Sequence, residues 1–340
     1  MMRDIVSGRR IRHCVWGCAV FLVCACSAPG QSLLEYHGDP IPAGIETMYM
    51  KGLNYLVTAQ ATSGAWSDSS YGNNAGVVGL AVLAMLAHGD DPNYGPYSEP
   101  IKNGLEFILN AASTSTGYIG TSMYNHGFAT LALAEAYGNV TDPRIGPALK
   151  KAVDLILTSQ SRNEFQAWRY SPESRDADTT VSGAQLVALL AARNAGVAVP
   201  EKAIRSALRF YQQCQGGDGG YGYTDAGGSN AARAAIGALV FALAREKNTT
   251  EFKSAFRYLK QAGPQEEEGR PYYYMYYAAQ ALFHADMNAW RQWNGALVDR
   301  LRMMQNADGS WSGNHGSVFS TSTALLALAL NYRFLPIYER

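Results

Sequence analysis

A repeated unit constrains the fold of this chain more than any other feature of its sequence. Four helix-like runs end in glutamine, and a glycine or aromatic residue follows each glutamine a few positions later. The glutamines are Gln60, Gln160, Gln215 and Gln305, followed by Gly64-Ala65-Trp66, Trp168, Gly219-Gly220-Tyr221 and Gly309-Ser310-Trp311. Two weaker copies, at 107–118 and 258–264, keep a hydrophobic pair and lose the glutamine. With these included the period is about 50 residues, which is typical of helix-pair arrays.

A second run follows each copy, rich in Ala, Leu and Gly and nearly free of charge. These runs cover residues 75–87, 127–136, 179–192, 231–244, 273–283 and 320–330. A helix that is apolar on all sides is buried on all sides. The preceding helices carry charge on one side, as at Glu201 and Arg205. Since no strand pattern of useful length competes, we predict an all-α (α/α)6 toroid of six helical hairpins, with inner apolar helices and outer amphipathic helices.

The first residues have the three-part layout of a secretory signal peptide: a basic start, an apolar stretch and small residues. The apolar stretch is about 13 residues long, whereas a helix needs about 20 to cross a bilayer. We predict a signal peptide over 1–28, a linker over 29–43 and the toroid over 44–340. An uncleaved membrane anchor is the alternative. Val23-Cys24-Ala25-Cys26 is similar to a bacterial lipobox, so ordinary cleavage and lipidation at Cys26 both stay open.

Charge and cysteine content exclude several classes of function. The chain has 28 basic and 28 acidic residues, and this balance argues against nucleic-acid binding. Cleavage would leave only Cys214, so no internal disulfide is possible in the mature chain. Neither a paired-cysteine motif nor His-Glu-x-x-His is present. We therefore predict no metal and no cofactor, a periplasmic, cell-envelope or secreted location, and membrane association only through the lipid anchor.

The repeat resembles a known motif. Lys51-Gly52-x-x-Tyr55-Leu56-x-x-x-Gln60-x-x-x-Gly64-x-Trp66 is similar to the QW motif of squalene–hopene and oxidosqualene cyclases, and protein prenyltransferase β subunits carry a weaker form. A glutamine amide can bond free backbone groups at a helix end, and a glycine there often needs positive φ. The predicted scaffold residues are Gln60, Gly64, Trp66, Gln160, Gln215, Gly219, Tyr221, Gln305, Gly309 and Trp311.

The same resemblance implies a catalytic acid. In the cyclases, Asp-x-Asp-Asp-Thr-Ala opens the corresponding helix, and its middle Asp is the proton donor. Here Asp176-Ala177-Asp178-Thr179-Thr180 opens the third inner helix, so Asp178 would be the acid and Asp176 its flanking partner. Thr179 stands where the cyclases have a third Asp. The alternative is a helix N-cap at Asp178 or Thr179.

Aromatic residues are the main candidates for a central cavity. Tyr273, Tyr276, Tyr277 and Gln280 share one helix face. Their rings would stabilise a carbocation or simply fill the toroid. We also expect Tyr124, His126 and Trp168 at this cavity, with His126 as an acid or base or as a hydrogen-bonded loop residue.

Three functions are compatible with the sequence. The first is binding of a hydrophobic isoprenoid, with a degenerate proton-initiated terpene cyclase or a prenyltransferase-like activity as its enzymatic form. The zinc site of the prenyltransferase subunits is not expected, because Asn230-Ala231-Ala232-Arg233 replaces their Asp-x-Cys. The second is a non-catalytic toroid that binds another extracytoplasmic protein. The third is a carbohydrate-active barrel that uses Asp176, Asp178, Trp168 and Tyr170.

Overall fold

The structure, a computed structural model, describes residues 41–42, 44–68, 72–265 and 270–339. The predicted signal peptide and Cys26 lie outside the described residues. Within them, no helix combines the length and apolarity that a membrane span requires.

Helices dominate the described residues, and outer and inner helices alternate along the chain. The outer helices are α1 (Ile45–Ala59), α3 (Ser98–Ala111), α5 (Ile145–Arg162), α7 (Glu201–Cys214), α9 (Thr250–Gln261) and α11 (Met287–Met304). The inner helices are α2 (Ala75–Leu86), α4 (Met123–Ala136), α6 (Thr179–Asn194), α8 (Ala231–Leu243), α10 (Pro271–Ala285) and α12 (Ser317–Leu328). A short antiparallel hairpin, β1 (Ser67–Asp68) and β2 (Gly72–Asn73), pairs Ser67 with Asn73.

The inner helices form a closed ring. Each packs on the next, from α2 to α4, α6, α8, α10 and α12, and α12 packs on α2. The last outer helix also contacts α12, and α1 packs against α12 from outside. The predicted (α/α)6 toroid is thereby confirmed.

Burial explains the two kinds of helix. In α6 every residue from 179 to 192 is buried, as expected of an apolar inner helix. In α7 only one face is buried, and Glu201, Lys202 and Arg205 are exposed. That face consists of Ile204, Ser206, Ala207, Leu208, Phe210, Tyr211 and Cys214.

Glutamine side chains join each strong copy of the repeat to the next outer helix. Gln60 Nε2 donates to the Gly64 and Pro100 carbonyls at 3.1 and 2.9 Å. Gln160 and Gln215 bond their own turns and the carbonyls of Ala203 and Glu251 in the same way. Gln305 Nε2 donates to Gly309 and, at 2.8 Å, to Met48 of α1. The last repeat is therefore bonded to the first, and these contacts are called the glutamine seams below.

The turns at these seams need glycine for a geometric reason. Gly219 and Gly309 both have φ of +90°, and a Cβ on Gly309 would lie 2.3 Å from the Lys51 carbonyl oxygen. The turn after Gln160 has no glycine. There Gln166 adopts φ of +54°, and its backbone carbonyl accepts the hydrogen bond from Gln160 Nε2.

The tryptophans tie each turn back to its own outer helix. The indole N–H groups donate to the carbonyls of Leu56, Ile156 and Leu301 at 2.7, 2.9 and 2.8 Å. The donors are Trp66, Trp168 and Trp311. All three rings are buried, so each of these three copies carries a shielded backbone contact.

The two ends of the ring differ. Connections from an outer to an inner helix lie at the amino ends of the inner helices and are mostly the longer ones. Residues 163–178 join α5 to α6, whereas 195–200 join α6 to α7. At the opposite end, a 3-10 turn at Pro336–Tyr338 packs against α6. The Ile337 N–H donates to the buried Glu135 carboxylate at 3.2 Å, and burial raises the pKa of Glu135 to about 8.

Candidate functional site

A cavity of about 750 Å³ lies at the amino ends of the inner helices. The first turns of all six inner helices, or the loops directly before them, contribute to its wall. Six aromatic side chains line it: Tyr124, Phe128, Tyr170, Tyr223, Tyr273 and Phe319. Neutral amides and hydroxyls come from Asn74, Thr121, Ser122, Asn125 and Thr180. The basic side chains of the wall are Arg233, Arg270 and His315, and no carboxylate of the described residues lines the cavity.

Helix caps position much of this polar wall. The Asn74 side chain accepts from the backbone N–H groups of Gly76 and Val77, which starts α2. Ser122 caps α4 by accepting from the Asn125 N–H. Asn74 Nδ2 and Ser122 Oγ then donate to Asn125 Oδ1 at 3.2 and 2.7 Å. Asn74, Ser122 and Asn125 are therefore held in place by a hydrogen-bond network that includes the caps of α2 and α4.

Asp178 lies beneath the cavity and caps α6. Its Oδ1 accepts from the backbone N–H groups of Thr180 and Val181, both at 2.8 Å, and from Thr180 Oγ1 at 2.6 Å. The side chain is fully buried and Oδ2 has no hydrogen-bond partner among the described residues. Arg169 Nε lies 3.6 Å from Oδ2. Burial raises the pKa of Asp178, and the hydrogen bond from Thr180 opposes this shift.

A hydrogen-bonded path links Asp178 to the cavity. The Tyr124 hydroxyl donates to Thr180 Oγ1 at 2.5 Å, and Thr180 Oγ1 donates to Asp178 Oδ1. Tyr124 and Thr180 both line the cavity. Burial raises the pKa of Tyr124, so its phenol stays protonated at neutral pH. The carboxyl group is thus connected to the cavity although it does not reach it.

Asp176 lies at the surface, with its side chain 65% exposed. It is 3.4 Å from Arg169 Nη1 and does not line the cavity. Arg169 lies over two tyrosine rings, with its guanidinium carbon 5.3 Å from the Tyr170 centroid and 5.1 Å from the Tyr223 centroid. The hydroxyls of these two tyrosines are hydrogen-bonded to each other. The two tyrosine rings form an aromatic rim of the cavity, and the Arg169 guanidinium packs against both of them.

Five residues that the sequence analysis expected at the cavity do not line it. Tyr276, Tyr277 and Gln280 share the helix face of Tyr273 but lie one or two turns further along α10. On α10 the cavity reaches only the first turn, so these side chains are part of the buried core instead; Gln280 Nε2 donates to the Tyr276 carbonyl. Trp168 belongs to the scaffold because its indole bonds α5.

The fifth residue, His126, has a structural role. Its Nδ1 accepts from the Ile119 N–H at 3.1 Å, and its Nε2 donates to the Ala152 carbonyl at 3.0 Å. Burial lowers the pKa of His126 to about 4, so the ring is neutral. With both nitrogens engaged, this side chain fits the hydrogen-bonded alternative rather than an acid or base at the cavity.

Arg233 and Arg270 are cavity residues that sequence reasoning missed. Arg233 interrupts an otherwise apolar inner run, and Arg270 directly precedes Pro271 at the start of α10. A charge inside a buried helix was the signal that could have marked Arg233. In the described part of the chain, no group of His, Cys, Asp and Glu side chains could hold a metal ion. Burial raises the pKa of the Cys214 thiol to about 12.

A family model described as "Domain of unknown function (DUF6288)" matches residues 49–268. The chain belongs to this family. The match covers repeats that line the cavity from α2 to α8. None of the curated proteins compared with the DUF6288 chain matches it.

Solved structures of similar fold include enzymes of two kinds. The type II terpene cyclase MstE from Scytonema superposes on the DUF6288 chain with a TM-score of 0.60 at 16% identity, covering 86% of this chain and 99% of that one. The GH76A α-1,6-mannanase from Salegentibacter sp. HEL1_6 has a TM-score of 0.64 at 8% identity, covering 85% and 99%. A family 76 glycoside hydrolase from a bovine Bacteroides thetaiotaomicron strain has a TM-score of 0.66 at 9% identity, covering 85% and 78%. At these identities the likeness concerns the fold alone.

Proposed function

We propose that this protein binds a carbohydrate in its central cavity. The observation that carries the proposal is the composition of the wall: tyrosine and phenylalanine rings interleaved with neutral amides and hydroxyls. A sugar ring has an apolar face that packs on an aromatic ring, and its hydroxyls need both donors and acceptors. Asn74, Asn125 and Ser122 supply both, and Tyr170, 47% exposed, presents a ring at the rim.

Binding is favoured over glycoside hydrolysis. Hydrolysis normally uses two carboxyl groups that flank the scissile bond. Among the described residues, no carboxylate lines the cavity, and of the two predicted candidates Asp176 is exposed and Asp178 is buried as a cap. The carbohydrate proposal therefore concerns recognition rather than cleavage.

One similar structure supports the choice of ligand class. An inactive variant of the Salegentibacter mannanase was solved in complex with α-1,6-mannotetrose, and it superposes with a TM-score of 0.65 at 10% identity. A toroid of this architecture can therefore accommodate an oligosaccharide. In this chain, the polar and aromatic side chains of the cavity wall would contact the sugar.

A glycan array with the purified protein tests the proposal. We expect binding to one or a few glycans, and we expect Tyr170→Ala to abolish it. Tyr94→Ala is the matched control, because Tyr94 is 89% exposed and does not line the cavity. A wild-type protein that binds no glycan, or equal binding by both variants, would count against a sugar site in the cavity.

A second candidate is proton-initiated cyclisation of an isoprenoid, as the resemblance to the cyclases implies. The specific observation in its favour is the path from Asp178 through Thr180 to Tyr124, with the raised pKa of the carboxyl group. The test is incubation with squalene and shorter polyprenes, followed by analysis for cyclic products. Asp178→Asn keeps a capping oxygen but removes the acid, so product that persists in this variant would contradict the role of Asp178.

We also propose that the protein is exported, on the composition of residues 1–28. Expression with an epitope tag in a bacterial host, followed by fractionation, would show the location. A change of Cys26 to Ser should release the protein from membranes if Cys26 is lipidated. A wild-type protein confined to the cytoplasm would contradict export.

A further inference from the structure

We infer that the ligand of the cavity is an acidic carbohydrate, one whose carboxylate or sulfate group binds to Arg233 and Arg270. This inference rests on the proposed carbohydrate function and specifies the charge of the ligand. The wall contains two arginines and a histidine, and within the described residues no carboxylate opposes them. The whole chain has equal numbers of basic and acidic residues. Among the described residues, the excess of positive charge is therefore local to the cavity wall and is not a consequence of composition.

Arg233 is held in position by the backbone around it. Its Nε donates to the Tyr221 carbonyl at 3.1 Å, and its Nη2 donates to the Gly228 carbonyl. A guanidinium has five N–H donors, so these two bonds leave Nη1 uncommitted. Within the described part of the chain, no carboxylate lies at ion-pair distance from Arg233. An arginine fixed in this way loses little conformational freedom when it binds an anion.

Arg270 also lines the wall, at the position directly before α10, and α10 packs on α8, the helix of Arg233. It makes neither an ion pair nor a side-chain hydrogen bond with any residue that the structure describes. Several arginines elsewhere on the surface have acidic partners. Arg144 pairs with Glu106 and Asp142, and Arg193 and Arg205 pair with Glu201. Among the described residues, neither cavity arginine has an acidic partner.

The inner helices add to the positive potential. All six begin at the cavity, and the amino end of a helix carries a partial positive charge. Asn74, Ser122, Asp178 and Asn230 cap four of these ends with side chains, whereas α10 and α12 have no side-chain cap. The uncapped pair lies beside Arg270 and Phe319. This field favours a negative group but does not define the site, which is defined by the two guanidinium groups.

A negative group on the ligand completes this arrangement. A partly buried guanidinium without an anionic partner, as at Arg233, carries a desolvation cost. A carboxylate or sulfate accepts charge-assisted hydrogen bonds from arginine, often two at once. A neutral sugar would fill the aromatic and amide wall but would supply no anion to either arginine. The cavity therefore selects an acidic sugar over its neutral counterpart.

The experiment uses the glycan array with uronate-containing, sulfated and neutral oligosaccharides. Calorimetry then compares the best acidic ligand with its carboxyl-reduced or desulfated derivative. We expect removal of the charge to weaken binding about tenfold or more, and we expect binding to weaken as salt concentration rises. The uronate and sulfate arms identify which anion is recognised.

Two variants test whether these arginines cause the preference for acidic ligands. Arg270→Gln changes an exposed residue and Arg233→Gln a partly buried one, and we expect both to weaken acidic ligands while neutral derivatives bind as before. Arg205→Gln, on the outer helix α7, is the matched control and should bind like the wild type. Equal affinity for acidic and neutral glycans would overturn this inference and leave the carbohydrate proposal intact. No binding to any glycan would overturn both.

Discussion

Replacement of Gln305 by alanine tests the closure of the ring. The Gln305 amide donates to the carbonyls of Gly309 and Met48 at 2.9 and 2.8 Å, and it thereby joins the last repeat to α1. Alanine removes both hydrogen bonds. At about 0.5–1.5 kcal/mol for each neutral hydrogen bond, the free energy of unfolding should fall by about 1–3 kcal/mol.

The corresponding shift in melting temperature follows from the size of the domain. An unfolding entropy of about 2.1 cal/mol/K per residue over roughly 300 residues is about 0.6 kcal/mol/K. A loss of about 1–3 kcal/mol therefore lowers Tm by about 2–5 °C. Thermal unfolding followed by circular dichroism resolves a change of this size.

Gln215→Ala is the matched control, because Gln215 bonds Gly219 and Glu251 at 3.0 and 2.8 Å and joins two consecutive hairpins. In a closed ring the seam of Gln305 is equivalent to the seam of Gln215, so both variants should lose similar stability. In an open array the terminal seam would fray locally, as expected of repeat proteins. A normal Tm for Gln305→Ala beside a lowered Tm for Gln215→Ala would refute closure.

Three further predictions concern the scaffold. Trp311→Phe removes the buried indole bond to the Leu301 carbonyl, and urea unfolding should show a loss of about 1–3 kcal/mol; an unchanged midpoint would argue against that bond. Gly219→Ala should destabilise by about 1–3 kcal/mol in the same assay, because the residue has φ of +90° and a Cβ would lie 2.7 Å from the Ser254 carbonyl oxygen. Burial raises the pKa of Glu135 from 4.5 to about 8, so the folded state keeps a proton that the unfolded state releases, and stability should fall between about pH 4.5 and 8 by up to about 1.4 kcal/mol per pH unit. Glu135→Gln should flatten that slope in urea titrations, and equal slopes would contradict the shift.

The fold could be predicted because the strong copies of the repeat share local signals of a helix end. In three of them a glutamine, a positive-φ glycine and an aromatic ring recur at fixed offsets, as at Gln215, Gly219 and Tyr221. Apolar inner runs and one-sided outer runs then indicate which helices face the centre. Ring closure itself depends on a contact between Gln305 and Met48, residues at opposite ends of the repeat array.

The cavity was harder to predict, because its wall combines first turns of six distant helices. Helical periodicity placed Tyr273, Tyr276 and Tyr277 on one face but carried no information on how far down that face the cavity extends. Only Tyr273 reaches it. The role of Asp178 was equally open in the sequence, since a cap and an acid require the same residue at the same position. The structure shows a cap at Oδ1 and, among the described residues, no hydrogen bond to Oδ2.

The unequal lengths of the connections have a consequence for how the DUF6288 family can diversify. The glutamine seams and tryptophan bonds lie in the outer layer, whereas the long connections before α6 and α8 contribute Tyr170 and Tyr223 to the rim. Loops tolerate insertions and substitutions far better than packed helices do. Substitutions at the rim can therefore change the surface that the cavity presents while the ring of inner and outer helices stays the same.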